Sequence, residues 1–428
     1  MLKINSRRLR GLLAVVLTLL CATLGQAQVQ VGGDFMMRHY WEKPIGTIDD
    51  RADLNYARML GRIHLDTAIG EIASFHTDFV TISENPVFPP RAFSGTGELY
   101  FGISQIYGEI ITPSVPLADL SRFRFGRQHY ELGQGLTLGD SYYMTNNYDG
   151  ARADFSRGNW TLGLMGAITA QELTEGGYYP EPGNDQIYVG KLEYELYSHS
   201  LLAYSVYERP QGDYNDNIIT GLGAKGSIVL RNLKYFGEVA TQRYNTAQGL
   251  PEKGGMGYMA GLAYNWSTKA FRSIKVEVRA AGYEGDDATT DKVEIFSPYY
   301  PSWFWGDRTA YVNGSTGGDY PHGGIRPEGS RVWYGRIYFS PTAVPKARLE
   351  FQYAAVGDWV NNDDYTEPYD EFGVKLFYEL SSNVRLQGRY FRRLANGEDV
   401  DLNGSGTITG IEDRYDVQRI MFELRLQF

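Results

Sequence analysis

Residues 401–412, DLNGSGTITGIE, place Asp401, Asn403 and Ser405 at positions 1, 3 and 5 of a twelve-residue loop. Gly406 stands at position 6, Thr407 at 7 and Glu412 at 12. An EF-hand calcium loop puts its oxygen ligands, its sharp-turn glycine and its bidentate carboxylate in those slots. The chemistry on offer is capture of a hard cation by Asp401, Asn403, Ser405, the Thr407 carbonyl and Glu412. Only two carboxylates stand among these ligands, so calcium would bind weakly, on the order of 10⁻⁴–10⁻³ M, as in extracellular modules. An EF-hand also needs flanking helices. Here the flanks, VRLQGRYFRR and RYDVQRIMFELRLQF, alternate like strands. A hairpin loop rich in Gly, Asn and Ser would give the same match by accident.

Other chemical signals are weaker. GLGAKG, residues 221–226, fits G-x-G-x-x-G, but a dinucleotide loop leads from a strand into a helix. SIVL continues an alternating strand instead, so these glycines read as small positions in a sheet wall. His39, His64, His76, His129, His199 and His322 form no H-E-x-x-H and no i, i+4 pair. A hydrolase needs a histidine with a nucleophile or paired carboxylates nearby in space. Strands could assemble such a constellation, for example His64 with Asp66 and a third group. The aromatics of FSPYYPSWFWGD, 296–307, either stack on sugar rings or form the small core of their own loop.

The chain opens with a basic head, Lys3, Arg7, Arg8 and Arg10, an apolar run from Leu12 to Leu24, and Gly25-Gln26-Ala27. That order is a secretory signal peptide over 1–27 with cleavage near Ala27, and the run is too short to anchor in a bilayer. The lone cysteine, Cys21, lies inside it. Residues 28–428 therefore hold no disulfide, no thiolate metal site and no c-type haem attachment. Removing four basic residues from 41 leaves 37 against 51 acidic ones, a balance of −14. That acidity excludes nucleic acid as the expected partner. Fifty glycines and 33 tyrosines with only 17 prolines suggest strands and turns.

The elements that must position any site follow from alternation. In RIMFELRLQF, Ile420, Phe422, Leu424, Leu426 and Phe428 share one face and Arg419, Met421, Glu423, Arg425 and Gln427 the other. Period two of this kind is a strand. Comparable segments recur near 29–40, 56–68, 71–81, 99–111, 121–130, 150–156, 160–169, 186–196 and 200–208. They continue near 217–230, 233–243, 257–267, 271–282, 331–340, 347–356, 371–380, 383–393 and 414–428. Most have the roughly 9–11 residues that carry a tilted strand across a bilayer. Their connections alternate between tight turns (70–71, 157–159, 231–232, 381–382) and long loops (41–55, 131–149, 283–330, 394–413). Short periplasmic turns and long outer loops are the habit of outer-membrane barrels, and closure satisfies every backbone group in lipid. The expected fold is one all-β transmembrane antiparallel barrel, of about 18 strands with 16 as the alternative, both termini periplasmic.

With apolar residues toward lipid, the opposite face lines the lumen. It carries Arg38, Arg58, Arg62, His64 and Asp66, then Arg122, Arg124, Arg152 and Asp154, then Lys191, Glu193 and Glu195. Lys275, Glu277, Arg279, Arg336, Arg348 and Glu350 follow, with Lys375, Glu379, Arg385, Arg389, Arg419 and Arg425. Acids gather instead in outer loops, at 284–287, 361–371 and 398–401. Rings of arginine favour anions in a pore, and the guanidinium fork suits carboxylates. The plainer alternative is that Arg–Glu ladders merely stiffen the wall.

The stretch FRFGRQHYELGQGLTLGDSYYMTNNYDGARADF, 123–155, resembles a segment of the alginate-export family. The matching residues are Gly126, Arg127 and Gln128, ending one strand, and Asp149, Gly150 and Arg152, opening the next. The resemblance implies an 18-stranded outer-membrane barrel with an electropositive lumen that conducts an anionic uronate polysaccharide. A terminal Phe428 after an alternating strand also resembles the signal read by outer-membrane assembly machinery. Two departures stand out. The longest periplasmic turn, TPSVPLAD at 112–119, is too short to be the family's pore-occluding loop. Parity also turns Arg127 toward lipid, where a midplane arginine costs roughly 2–4 kcal/mol. Either a bulge re-aims Arg127 or it sits at the outer rim.

The expected function is an outer-membrane channel passing anionic or sugar-type solutes, with uronate polysaccharide export as its most specific form. It performs no chemistry and requires no cofactor, although the 401–412 loop offers a weak calcium site; its partners are lipid and solute. The alternatives are a sleeve or adhesin barrel holding a partner protein and, less favoured, an outer-membrane hydrolase.

Overall fold

Alternating β-branched, aromatic and charged residues make a sheet whose two faces differ sharply in chemistry, and here that sheet closes on itself. The computed structural model describes residues 28–45, 54–85, 99–115, 118–139, 147–169, 186–209, 216–228, 232–244, 253–285, 330–358, 369–395, 398–402, 408–413 and 416–428. The signal segment with Cys21 and the aromatic stretch 296–307 lie outside them.

The first strands are β1 (Gln28–Ile45), β2 (Leu54–Ile69), β3 (Ala73–Asn85), β4 (Leu99–Val115) and β5 (Ala118–His129). Next come β6 (Asn147–Arg157), β7 (Trp160–Thr169), β8 (Gln186–Leu196), β9 (His199–Arg209) and β10 (Asn217–Ile228). They are followed by β11 (Leu233–Tyr244), β12 (Lys253–Trp266), β13 (Phe271–Tyr283), β14 (Ser330–Pro341) and β15 (Ala347–Asp358). The last are β16 (Tyr369–Ser381), β17 (Val384–Ala395), β18 (Glu398–Leu402), β19 (Ile408–Asp413) and β20 (Asp416–Gln427). Eighteen of these form one antiparallel sheet in chain order, and β1 pairs with β20 to close it. Each of the eighteen expected segments is a wall strand, so the 16-strand alternative falls. The remaining two, β18 and β19, pair only with each other. This small hairpin stands where the sequence reads as a plain loop.

Tight turns at 70–72, 158–159, 197–198 and 382–383 gather at one end of the barrel. Both ends of the wall lie there too. Gly33 and Phe428 exchange two backbone hydrogen bonds of 2.9 and 3.0 Å, and the start of β1 pairs with Ala68 beside the first turn. The expected turn over 112–119 is mostly strand, with Val115 opposite Ala118. The outward face is apolar and exposed, as at Leu222, Trp333 and Phe422. Apolar surface of this extent around a closed barrel requires hydrocarbon rather than water.

Candidate functional site

The lumen wall has two unlike arcs. One runs from β13 through β20 and β1 to β6 and is charged. Glu277 on β13 lies between Lys275 and Arg279, two residues away on the same face, and opposite Arg336 of β14. Its carboxylate accepts from Lys275 Nζ at 2.8 Å and from Arg336 Nη2 at 3.0 Å, and it also pairs with Arg279. Three cations thus surround one acid. Beneath them the Tyr338 ring lies 4.8 Å from the Arg336 guanidinium and 5.4 Å from both Lys275 Nζ and the Arg348 guanidinium. Arg348 stacks in turn on Phe377 at 4.0 Å. Rings hold these cations in place by cation–π attraction without neutralising them.

The same design recurs along the arc. Glu109 accepts from Arg124 at 2.7 Å and faces Arg122 at 3.7 Å, while Arg124 lies 4.2 Å over Tyr107. Arg152 pairs with Asp154 at 2.7 Å, and Arg62 with Asp78 at 3.4 Å. In each group the cation stands nearer the solvent. The Lys275, Arg279 and Arg336 side chains are 35, 22 and 16% exposed against 3% for Glu277. Arg122 and Arg124 are 45 and 21% exposed against 13% for Glu109. The acids sit at the wall and the cations in front of them, because Arg and Lys reach beyond a carboxylate rooted on the neighbouring position. The surface these groups turn to the lumen is positive, since seven cations stand against four acids in them. Glu193 and Asp66 are the exceptions, more exposed than Lys191 and His76, their respective partners.

The other arc, β6 to β13, is apolar toward the long-loop end, and the chain itself fills it. After β5 the segment Tyr130–Leu138 turns into the barrel and buries Tyr130, Leu132, Leu136 and Leu138. These pack on Met165, Ile187, Val206, Ile219, Met259 and their neighbours on the inner wall. Hydrogen bonds from Leu132 N to Leu138 O and from Gly135 N to Leu132 O, both 2.9 Å, close the turn. Polar anchors then fix it. Thr137 Oγ1 and Tyr204 Oη lie 2.9 Å apart, Tyr204 Oη donates to Glu238 at 2.7 Å, and the Gln134 amide donates to the other Glu238 oxygen. Gly133 has φ +63°, and a Cβ there would come within 2.4 Å of Glu238. Only glycine lets the backbone approach that carboxylate. Between this segment and the wall lies a cavity of about 120 Å³ lined by Glu131, Lys191, Glu193 and Lys225.

The expected pore residues divide accordingly. Arg62, Arg122, Arg124, Arg152 and Arg336 face the lumen in the groups above. Arg38 and Arg389 are buried instead against Glu423, at 2.6 and 3.8 Å, and the neighbouring Lys375–Glu350 pair at 3.2 Å is equally buried. For these the stiffening ladder is the better description. Arg385 is half-buried on β17 opposite Glu379 and Arg425. The Arg58 and Arg419 side chains lie outside the described residues.

The GRQ and DG elements meet in register, Arg127 opposite Asp149 and Gly126 opposite Gly150. Gly126 has φ +121°, and a Cβ would lie 2.3 Å from the Ile106 carbonyl oxygen; at Gly150 it would strike Gly166 at the same distance. Gln128 turns inward, fully buried, with Nε2 3.4 Å from Gly150 O. Arg127 points outward at the rim and is held by Asp149 through two bonds of 2.9 Å. The rim position, not a re-aiming bulge, resolves the parity problem, and the motif supplies the counter-charge from its own second half.

His76, not His64, bonds Asp66, at 2.7 Å, and among the described residues it bonds no serine or threonine. At the calcium-like loop, Asp401 stands opposite Gly410 and Asp399 opposite Glu412. Asn403, Ser405 and Thr407 lie outside the described residues. Among the described residues no three acidic, histidine or cysteine side chains form a metal cluster.

No family model and no curated protein matches the chain. Solved structures do. OccK9 (OpdG) of Pseudomonas aeruginosa aligns with TM-score 0.59 at 12% identity, over 94% of this chain and 99% of that one. OccK11 (OpdR) of the same organism gives 0.56 at 11%, over 94% and 96%. The P. aeruginosa protein OpdK, solved with vanillate, gives 0.55 at 11%, over 93% and 99%. At such identities the likeness is one of fold: the chain has the 18-stranded barrel architecture of these Pseudomonas outer-membrane proteins.

Proposed function

We propose that the protein is an outer-membrane channel for small anionic solutes, with carboxylates as the favoured class. The observation that carries this reading is the layering of the charged arc, where cations stand in front of the acids that hold them. A solute carboxylate meets guanidinium and ammonium groups first, in weak and multiple contacts that allow release as well as capture. Vanillate, which accompanies OpdK in its crystal structure, is itself a small carboxylate, and this supports the class. Long loops would face outward and both termini the periplasm, after removal of residues 1–27. Uronate export, the finer reading, rests on the motif from Gly126 to Arg152 alone. The sleeve alternative is disfavoured because the inward segment Tyr130–Leu138 already occupies part of the lumen. No chemical step is assigned to the chain.

Liposome swelling tests this reading directly. Galacturonate should enter vesicles carrying the refolded barrel several-fold faster than galactose, which has the same ring and no charge. Equal rates, or no entry of either, would reject an anion channel. Block of the galacturonate flux by oligomannuronate would favour the uronate form.

A further inference from the structure

The lipid-facing wall across β5 to β9 is not evenly filled. Register sets Phe125, Ala151, Gly166, Tyr188 and Tyr207 side by side in one outward row. The row below runs Phe123, Ala153, Leu164, Gly190 and Ser205. Small side chains between large rings leave an open trough of about 580 Å³ in the outer surface. At roughly 4.8 Å between neighbouring strands it is wide enough for acyl chains.

The row above is polar apart from Ile168: Arg127, Asp149, Ile168, Gln186 and Arg209, each within two residues of its strand's end at the long connections. Arg127 is chelated by Asp149, but Arg209 is 62% exposed and only 3.9 Å from Asp216. The rings below turn their hydroxyls to this level, Tyr188 toward Gln186 and Tyr207 toward Asp216. An apolar trough that ends in exposed guanidinium, tyrosine hydroxyl and amide groups has the two-part chemistry of a phosphorylated lipid.

We propose that this face holds one acyl lipid with an anionic phosphomonoester head group, in the leaflet at the long-loop end. Its chain lies over Gly166 and Gly190, and its phosphate meets Arg209, with Arg127 as the outlying second cation. The site needs a surrounding bilayer but not the anion-channel reading.

Native mass spectrometry of the full-length refolded barrel, with lipid A or phosphatidylcholine added at equal concentration, tests it. One lipid A molecule should stay bound and phosphatidylcholine should not. Arg209→Gln removes the phosphate contact, and Gly190→Leu fills the trough at a position where an added Cβ meets nothing within 4 Å. Each should weaken lipid A retention by about tenfold, as expected for one charge-assisted contact or one occluded chain. Both variants should keep wild-type ion selectivity in planar bilayers, which separates failure of this site from failure of the channel reading. Equal retention of lipid A by wild type and both variants, or an oligomer that covers this face without lipid, would overturn the proposal.

Discussion

The two arcs of the lumen wall are built on opposite physics. Between β6 and β13 the inner face is a hydrophobic core turned inside out, with Tyr130, Leu132, Leu136 and Leu138 seated on it. Between β13 and β6 through the closure strands, the inner face is held together by ion pairs. One arc narrows the bore, and in the proposed channel the other would decide what passes along it. The comparison shows that a wide barrel need not be uniformly lined, because each arc is stabilised locally by its own cross-strand neighbours.

The charged arc is itself of two kinds, and the largest expected effect lies in its buried part. Glu423→Gln removes the negative charge that Arg38 and Arg389 both face. It should cost about 3–5 kcal/mol, as breaking a buried ion pair does. A marked drop in the temperature at which the folded barrel loses its gel mobility would show this. An unchanged temperature would mean that these arginines are wetter than their burial implies.

On the apolar arc, Leu136→Ala should cost about 2 kcal/mol, near the low end for a buried leucine because a loop segment relaxes more easily than a strand. Glu238→Ala removes the acceptor of both Tyr204 and the Gln134 amide, so the segment should loosen. Both changes should raise single-channel conductance and its noise while leaving ion preference as it was. A shift in ion preference would break the division of labour between the arcs. Arg122→Gln, at an exposed and loosely paired position, should change stability by less than about 1 kcal/mol and selectivity only slightly. The calcium-like loop at 401–412 belongs to neither arc. Several millimolar calcium should add about 1 kcal/mol over chelator for a millimolar-range site. Identical melting would remove calcium from the account.

The wall strands are legible because period-two alternation is a local property. RIMFELRLQF announces β20 unaided, and parity alone narrows Arg127 to a bulge or the rim. What could not be read depends on residues brought together across the barrel. ELGQGLTL gives no sheet period, and its three leucines acquire meaning only once β7 to β13 supply a concave apolar face. Its glycines, at 133 and 135, are the one signal that the backbone must turn sharply there. The burial of Arg38 and Arg389 is likewise invisible, since parity places them in the lumen just as it places Arg336. Which cations stand exposed is set by register and side-chain reach, not by face alone.

Lys275, Arg279 and Arg336, standing in front of Glu277, should make the pore prefer anions. The zero-current potential of single wild-type barrels in a planar bilayer under a potassium chloride gradient measures that preference directly. The wild type should show an anion-selective sign, lost or reversed when all three residues are replaced by Glu. A cation-selective wild type, or an unchanged potential in the folded triple variant, would contradict this.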